Sequence, residues 1–148
     1  MEEITDRCFV YVYTFPNGKV YVGISKDVAM RHRKHMEDAR QRPRGLVHRM
    51  FIKYGVIGKI LPTTVFEGTR AECQAHEVEL IRVHRSNVCE WGEDANGYNT
   101  TPGGEDQYHS HKAGKTLKQL LSTVPEFQDW ASYRKKPKRK LQPRPQPQ

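Results

Sequence analysis

The sequence predicts an α+β fold: a small three-stranded antiparallel sheet flanked by helices, with a helical C-terminal extension and a disordered basic tail. Three observations carry this expectation. Strand-like runs at residues 9–13 and 19–23 flank the turn Pro16-Asn17-Gly18. Two segments with amphipathic helical spacing follow, and then a β-rich run at 57–66 leads into a helix-capping signal.

Each element has a local cause. Pro16 suits the second corner of a type I turn, Asn17 the third and Gly18 the left-handed position after it, which makes a three-residue hairpin loop. Phe15 then faces Lys19, and Tyr13 faces Tyr21. Because side chains alternate along a strand, Tyr11, Tyr13 and Tyr21 share one face of the hairpin. Asp27 caps a helix running to about Arg40, on which Arg31 and His35 stand four apart and so on one face. Pro43 opens a second helix carrying Leu46, Val47, Met50, Phe51 and Tyr54, and Gly55 stops it. Pro62 marks the third strand as an edge or a broken strand. Thr69 and Glu72 form a capping box for a third helix ending near Arg85, with Val78 and Ile81 inward and Glu77 at the rim of that face. Residues 86–104 read as one Gly- and Asn-rich loop, and 115–122 and 125–133 as two short helices.

With 148 residues, 36% of them apolar, the chain suits a body at 1–105, an extension at 106–133 and a tail at 134–148. The acidic start, Met1-Glu2-Glu3, is not expected to be a signal peptide, and no apolar run approaches the roughly 18 residues of a membrane helix. Cys8, Cys73 and Cys89 show no paired or zinc-like spacing, so a reducing, cytoplasmic setting is expected. The net charge of +8 is unevenly placed: +7 lies in residues 134–148, +8 in 19–59 and −5 in 60–133. Such a basic concentration beside clustered phenols points to a polyanion, namely nucleic acid. In the tail, Arg134, Lys135, Lys136, Lys138, Arg139 and Lys140 are candidate DNA contacts, on a stretch with almost nothing apolar to bury.

The order of these features resembles the GIY-YIG nuclease family over residues 8–105. Val10-Tyr11 stands at the end of the family's first motif and Tyr21-Val22-Gly23 at its second. Arg31 follows Tyr21 by ten residues and His35 by four more. Lys53-Tyr54-Gly55, Glu77 with Ile81, Gly97-Tyr98-Asn99 and Thr101-Pro102-Gly103-Gly104 complete the sequence of matches. Two departures stand beside them: Phe9 replaces a glycine, and the Tyr11 to Tyr21 interval is one or two residues short. Tyr13 also imitates the first motif but leaves a still shorter interval, so Tyr11 is the preferred match.

The resemblance implies a metal-dependent DNA endonuclease of the freestanding, phage-type or homing-like kind, acting on double-stranded or branched DNA. It implies Glu77 as ligand of one Mg²⁺ or Mn²⁺, in keeping with the hard oxygens such ions prefer. Arg31 would brace the phosphate. Tyr11 or Tyr21 would be the general base, and His35 would contact the phosphate or move a proton. Gly23 and Asn99 would support the site, Asn99 by pinning the closing loop. A free phenol is about one part in a thousand ionised at pH 7, a deficit of about 4 kcal/mol. Arg31, His35 and the metal are the cations expected to reduce it, so activity should rise with pH. A catalytically inactive nucleic-acid-binding protein of the same fold is the alternative.

Overall fold

Alternation along one central strand divides the interior in two. The computed structural model describes residues 6–43, 45–104, 119 and 122–127. In order, its elements are β1 (Arg7–Thr14), β2 (Val20–Ser25), α1 (Val28–Gln41), α2 (Leu46–Lys53), β3 (Thr63–Thr69), α3 (Arg70–His84) and α4 (Val88–Trp91), with short 3-10 turns at Gly92–Asp94 and Pro125–Phe127. The sheet is antiparallel with order β2-β1-β3, so β1 is central. From β1 and the residue after it, Tyr11, Tyr13 and Phe15 enter a cluster with Met36, Leu46, Met50 and Phe51 of α1 and α2. Cys8, Val10 and Val12 enter the other, with Val22, Cys73 and Ile81. The period of two in the sequence thus becomes two layers, helices α1 and α2 on one face and α3 on the other.

The hairpin forms in the expected register, with Tyr13 opposite Tyr21. Phe15 N–H donates to Lys19 O (2.8 Å), Gly18 N–H to Phe15 O (2.9 Å), and Gly18 takes φ +85°, which its missing side chain permits. Asp27 caps α1 by accepting from Met30 N–H at 3.0 Å. Helix α2 starts later than Pro43, at Leu46 after an N-cap at Gly45. Strand β3 also starts later than expected. Pro62 lacks a ladder donor, so pairing begins beyond it at Thr63, and the strand runs on to Thr69 as an edge. Val65 is the extra residue of a bulge opposite Val10 and Tyr11.

Thr69 and Glu72 make the full capping box of α3. Its buried face is Cys73, Glu77 and Ile81, spaced four apart, whereas Val78 is 39% exposed. Ile81 faces inward as expected, but the inward placement of Val78 is corrected: the helix is turned so that a carboxylate, not a valine, stands at the centre of its buried face. Glu79 points outward and pairs with Arg82 (2.6 Å).

Residues 86–104 hold more structure than a loop. Asn87 caps the short helix α4, and Gly97 and Asn99 make parallel bridges to Val20 and Asn87. The basic tail and most of the predicted C-terminal helices lie outside the described residues. Within them, Pro125–Phe127 is a 3-10 turn, and Val124 and Phe127 are buried in the α1/α2 cluster. Glu126 accepts hydrogen bonds from Tyr54 Oη (2.6 Å), from Tyr98 Oη and from Lys19. All three cysteines are free thiols. Among the described residues no helix is long and apolar enough to cross a membrane.

Candidate active site

Gly23 creates the space in which the site forms. It lies opposite Tyr11 across the β1/β2 ladder, and the Tyr11 ring occupies the volume a side chain would need. A Cβ at position 23 would fall 2.7 Å from Tyr11 Cε2 and closer still to Cζ and Oη. Around this point a cleft of about 130 Å³ is lined by Tyr11, Tyr21, Gly23, Ile24, Arg31, His35 and Glu77. Six residues singled out from the sequence, brought by β1, β2, α1 and α3, therefore meet at one place. Tyr13 does not line the cleft. Its Oη bonds His32 Nδ1 at 2.8 Å instead.

The hydrogen bonds inside the site form a chain. Tyr11 Oη and His35 Nε2 are 2.8 Å apart, and His35 Nδ1 and His48 Nε2 are 3.0 Å apart. In one tautomeric arrangement Tyr11 Oη–H donates to His35, whose Nδ1–H donates to His48. In the other, His48 Nε2–H donates to His35 Nδ1, and His35 Nε2–H donates to Tyr11 Oη. Both imidazoles are buried.

Burial is the largest cause of the shifts at Tyr11, Tyr21, His35 and Glu77. His35 is pushed down to about 3, first by desolvation and then by the positive charges of His48 and Arg31. It is a neutral ring at physiological pH, which corrects its expected part as a cation that lowers a phenol pKa. Tyr11 is held well above the usual phenol value by burial and by neighbouring Tyr21, with Arg31 acting in the opposite direction. Tyr21 rises to about 12, from burial and the Glu77 carboxylate, again with Arg31 opposing. Of the three expected cations, only Arg31 is a protein charge in the cleft.

Glu77 is 4% exposed. Its Oε1 accepts Gly104 N–H at 3.0 Å, and the Gly103-Gly104 segment, both at positive φ, folds over it. Burial raises its pKa while the Gly104 bond lowers it. Among the described residues no cation forms an ion pair with it. Among the described residues it is the sole carboxylate lining the cleft, and no group of three or more His, Cys, Asp and Glu gathers there or elsewhere.

Asn99 stands behind β2. Its Oδ1 accepts Val22 N–H (3.0 Å) and Ser86 Oγ–H (2.8 Å), and its Nδ2–H donates to Val22 O (2.8 Å). It holds the strand that carries Tyr21 and Gly23 without touching the cleft.

Sequence reasoning missed His48 and Gly104. His48 sits between Val47 and Met50 in the amphipathic stretch of α2, and its burial there was the available signal; its pairing with His35, thirteen residues away on another helix, left none. Gly104 lay within a quoted motif, but nothing local showed that its N–H meets Glu77. The tail cations Arg134 to Lys140 lie outside the described residues. No protein-family model, curated protein or solved structure matches the chain.

Proposed function

We propose that the chain is a metal-dependent DNA endonuclease of the GIY-YIG type, hydrolysing phosphodiester bonds in the cleft between Tyr11 and Glu77. One observation carries the reading: phenols, a guanidinium and a buried carboxylate, drawn from positions as far apart as 11 and 77, line the same small cleft. Packing alone does not call for a buried carboxylate facing an arginine and two tyrosines.

The donor set fits a hard cation. A buried carboxylate that has no counter-ion among the described residues, one oxygen already held by Gly104, matches Mg²⁺ or Mn²⁺ bound by a single side chain and water. Such an ion, when bound, supplies positive charge that neutralises phosphate oxygens and lowers the pKa of a nearby phenol or water. Arg31 grips the phosphate through its planar fork and is the protein's own charge opposing the raised Tyr11 pKa.

Tyr11 is the better base candidate of the two phenols, because its oxygen has a dedicated partner in His35. His35 does not take the phenol proton. Burial pushes the imidazole down to about 3 and holds the phenol well above its ordinary value, so that transfer is strongly uphill. The phenol proton leaves to solvent before the reaction, and neutral His35 donates Nε2–H to the resulting phenolate, with His48 donating to Nδ1 behind it, until the phenolate takes the proton of the attacking water. The pair stabilises charge on Oη without itself ionising.

Supercoiled plasmid incubated with Mg²⁺, Mn²⁺ or chelator tests the proposal. Nicking with metal, its loss in chelator, and losses of about 10²- to 10³-fold in Arg31→Ala and Glu77→Ala are expected. Binding of DNA by the wild type without cleavage in any metal would leave a nucleic-acid-binding protein instead.

A further inference from the structure

Next to the catalytic cleft, and sharing Ile24 and Arg31 with it, lies a larger cavity of about 500 Å³. Its walls are α1 on one side and the start of α3 on the other, and its floor is the end of β2. Four cations line it: Lys26, Arg31, Lys34 and Arg70. Arg31 and Lys34 lie three apart on one face of α1, while Arg70 arrives from the first position of α3.

Two arginines elsewhere on the surface are ion-paired. Arg7 and Arg82 are held by Glu67 at 2.7 Å and Glu79 at 2.6 Å. Lys26, Arg31 and Arg70 make no ion pair among the described residues, and Lys34 reaches Asp38 only at 4.0 Å. The cavity's one carboxylate, Asp27, is engaged in capping α1. Four cations against the single lining carboxylate of Asp27 thus leave net positive charge in a concave space, the arrangement that attracts a polyanion. The lining is not wholly polar either. Ile24 and the 57%-exposed Met30 offer an apolar surface between the cations. Phosphates flanking an apolar sugar and base match that pattern; a free inorganic anion leaves the apolar part unused.

We propose that this cavity seats the DNA strand next to the scissile phosphate. Lys26, Lys34 and Arg70 hold its neighbouring phosphates, Met30 and Ile24 contact the sugar and base, and Arg31 stands at the junction between binding and cleavage. The inference rests on the nuclease reading for its substrate, but assigns strand binding to the folded body rather than to the basic tail.

The test uses the full chain and the triple variant Lys26→Gln/Lys34→Gln/Arg70→Gln, with Arg31 intact. All three positions are exposed, so the fold is retained, and a thermal melt checks it. Affinity for a short fluorescein-labelled duplex is measured by anisotropy across a salt series, in chelator so that no cleavage occurs. Loss of three phosphate contacts lowers the magnitude of the log Kd against log salt slope by about 2.7, and the single variant Lys34→Gln lowers it by about 0.9. Arg82→Gln, at a paired cation elsewhere, leaves the slope alone. Wild-type affinity and slope in the triple variant would overturn the proposal. Plasmid nicking, run in parallel with Mg²⁺, separates the two readings. If the wild type nicks but the triple variant binds normally, the cavity assignment fails alone. If the triple variant loses binding while the wild type never nicks, the nuclease reading fails and the cavity assignment stands.

Discussion

At position 23 the absence of a side chain decides whether Tyr11 can take its place in the cleft. Gly23→Ala pushes a methyl group into the Tyr11 ring. Overpacking of this kind costs about 1–3 kcal/mol, and displacement of Oη from His35 should lower cleavage by about 10²-fold or more, read as single-turnover plasmid nicking alongside a urea melt. His35 gives a second prediction, this time in pH. Its folded value near 3 lies below its ordinary value of about 6.5, so between those limits the unfolded chain takes a proton that the folded chain refuses. Stability is therefore fully present above about pH 6.5 and falls progressively as pH drops toward 3. Urea midpoints across that window should fall less steeply in His35→Gln than in the wild type. Residue identities such as Arg31 and Glu77 were legible because they occur at ordered spacings. The charge state of His35 was not, because it depends on burial against α2 and on His48, which only the folded chain brings together.

Elements were legible where the cause is local and displaced where it is tertiary. The hairpin, the Asp27 cap and the Thr69/Glu72 box follow from neighbouring residues and stand where the sequence placed them. The orientation of α3 does not follow locally: Val78 and Ile81 suggested one face, but packing of Cys73 against the sheet and closure of Gly104 over Glu77 turn the helix by about one residue. The loop after α3 acts as a cover for the open edge of β2. Val20 N–H donates to Asn96 O (3.0 Å), Tyr98 N–H donates to Val20 O (2.9 Å), and Asn99 completes the edge at Val22. An edge strand otherwise presents unpaired backbone groups. Asn99→Ala leaves the Val22 N–H and C=O without these partners and should destabilise the protein by about 3 kcal/mol in urea denaturation. Cleavage should fall with it, since Tyr21 and Gly23 ride on the same strand.

For the whole molecule, charge summed along the chain gives only part of the picture. Residues 60–133 count as acidic, yet they supply Arg70 to the most basic cavity described, and they supply the buried Glu77 to the cleft beside it. The two sites share Arg31 because α1 runs between them. The sheet separates two apolar layers, and the cleft opens where Gly23 leaves the β1/β2 ladder without a side chain. The central claim is that this cleft hydrolyses DNA with Glu77 as its metal-binding group. Glu77→Gln keeps the size of the side chain and its acceptor for Gly104 N–H while removing the charge a divalent cation requires. Its single-turnover rate on supercoiled plasmid in Mg²⁺, set against the wild type, is the most direct measurement: a loss of at least about 10²-fold with unchanged thermal stability and DNA affinity is predicted. Equal rates in the two proteins would contradict the account.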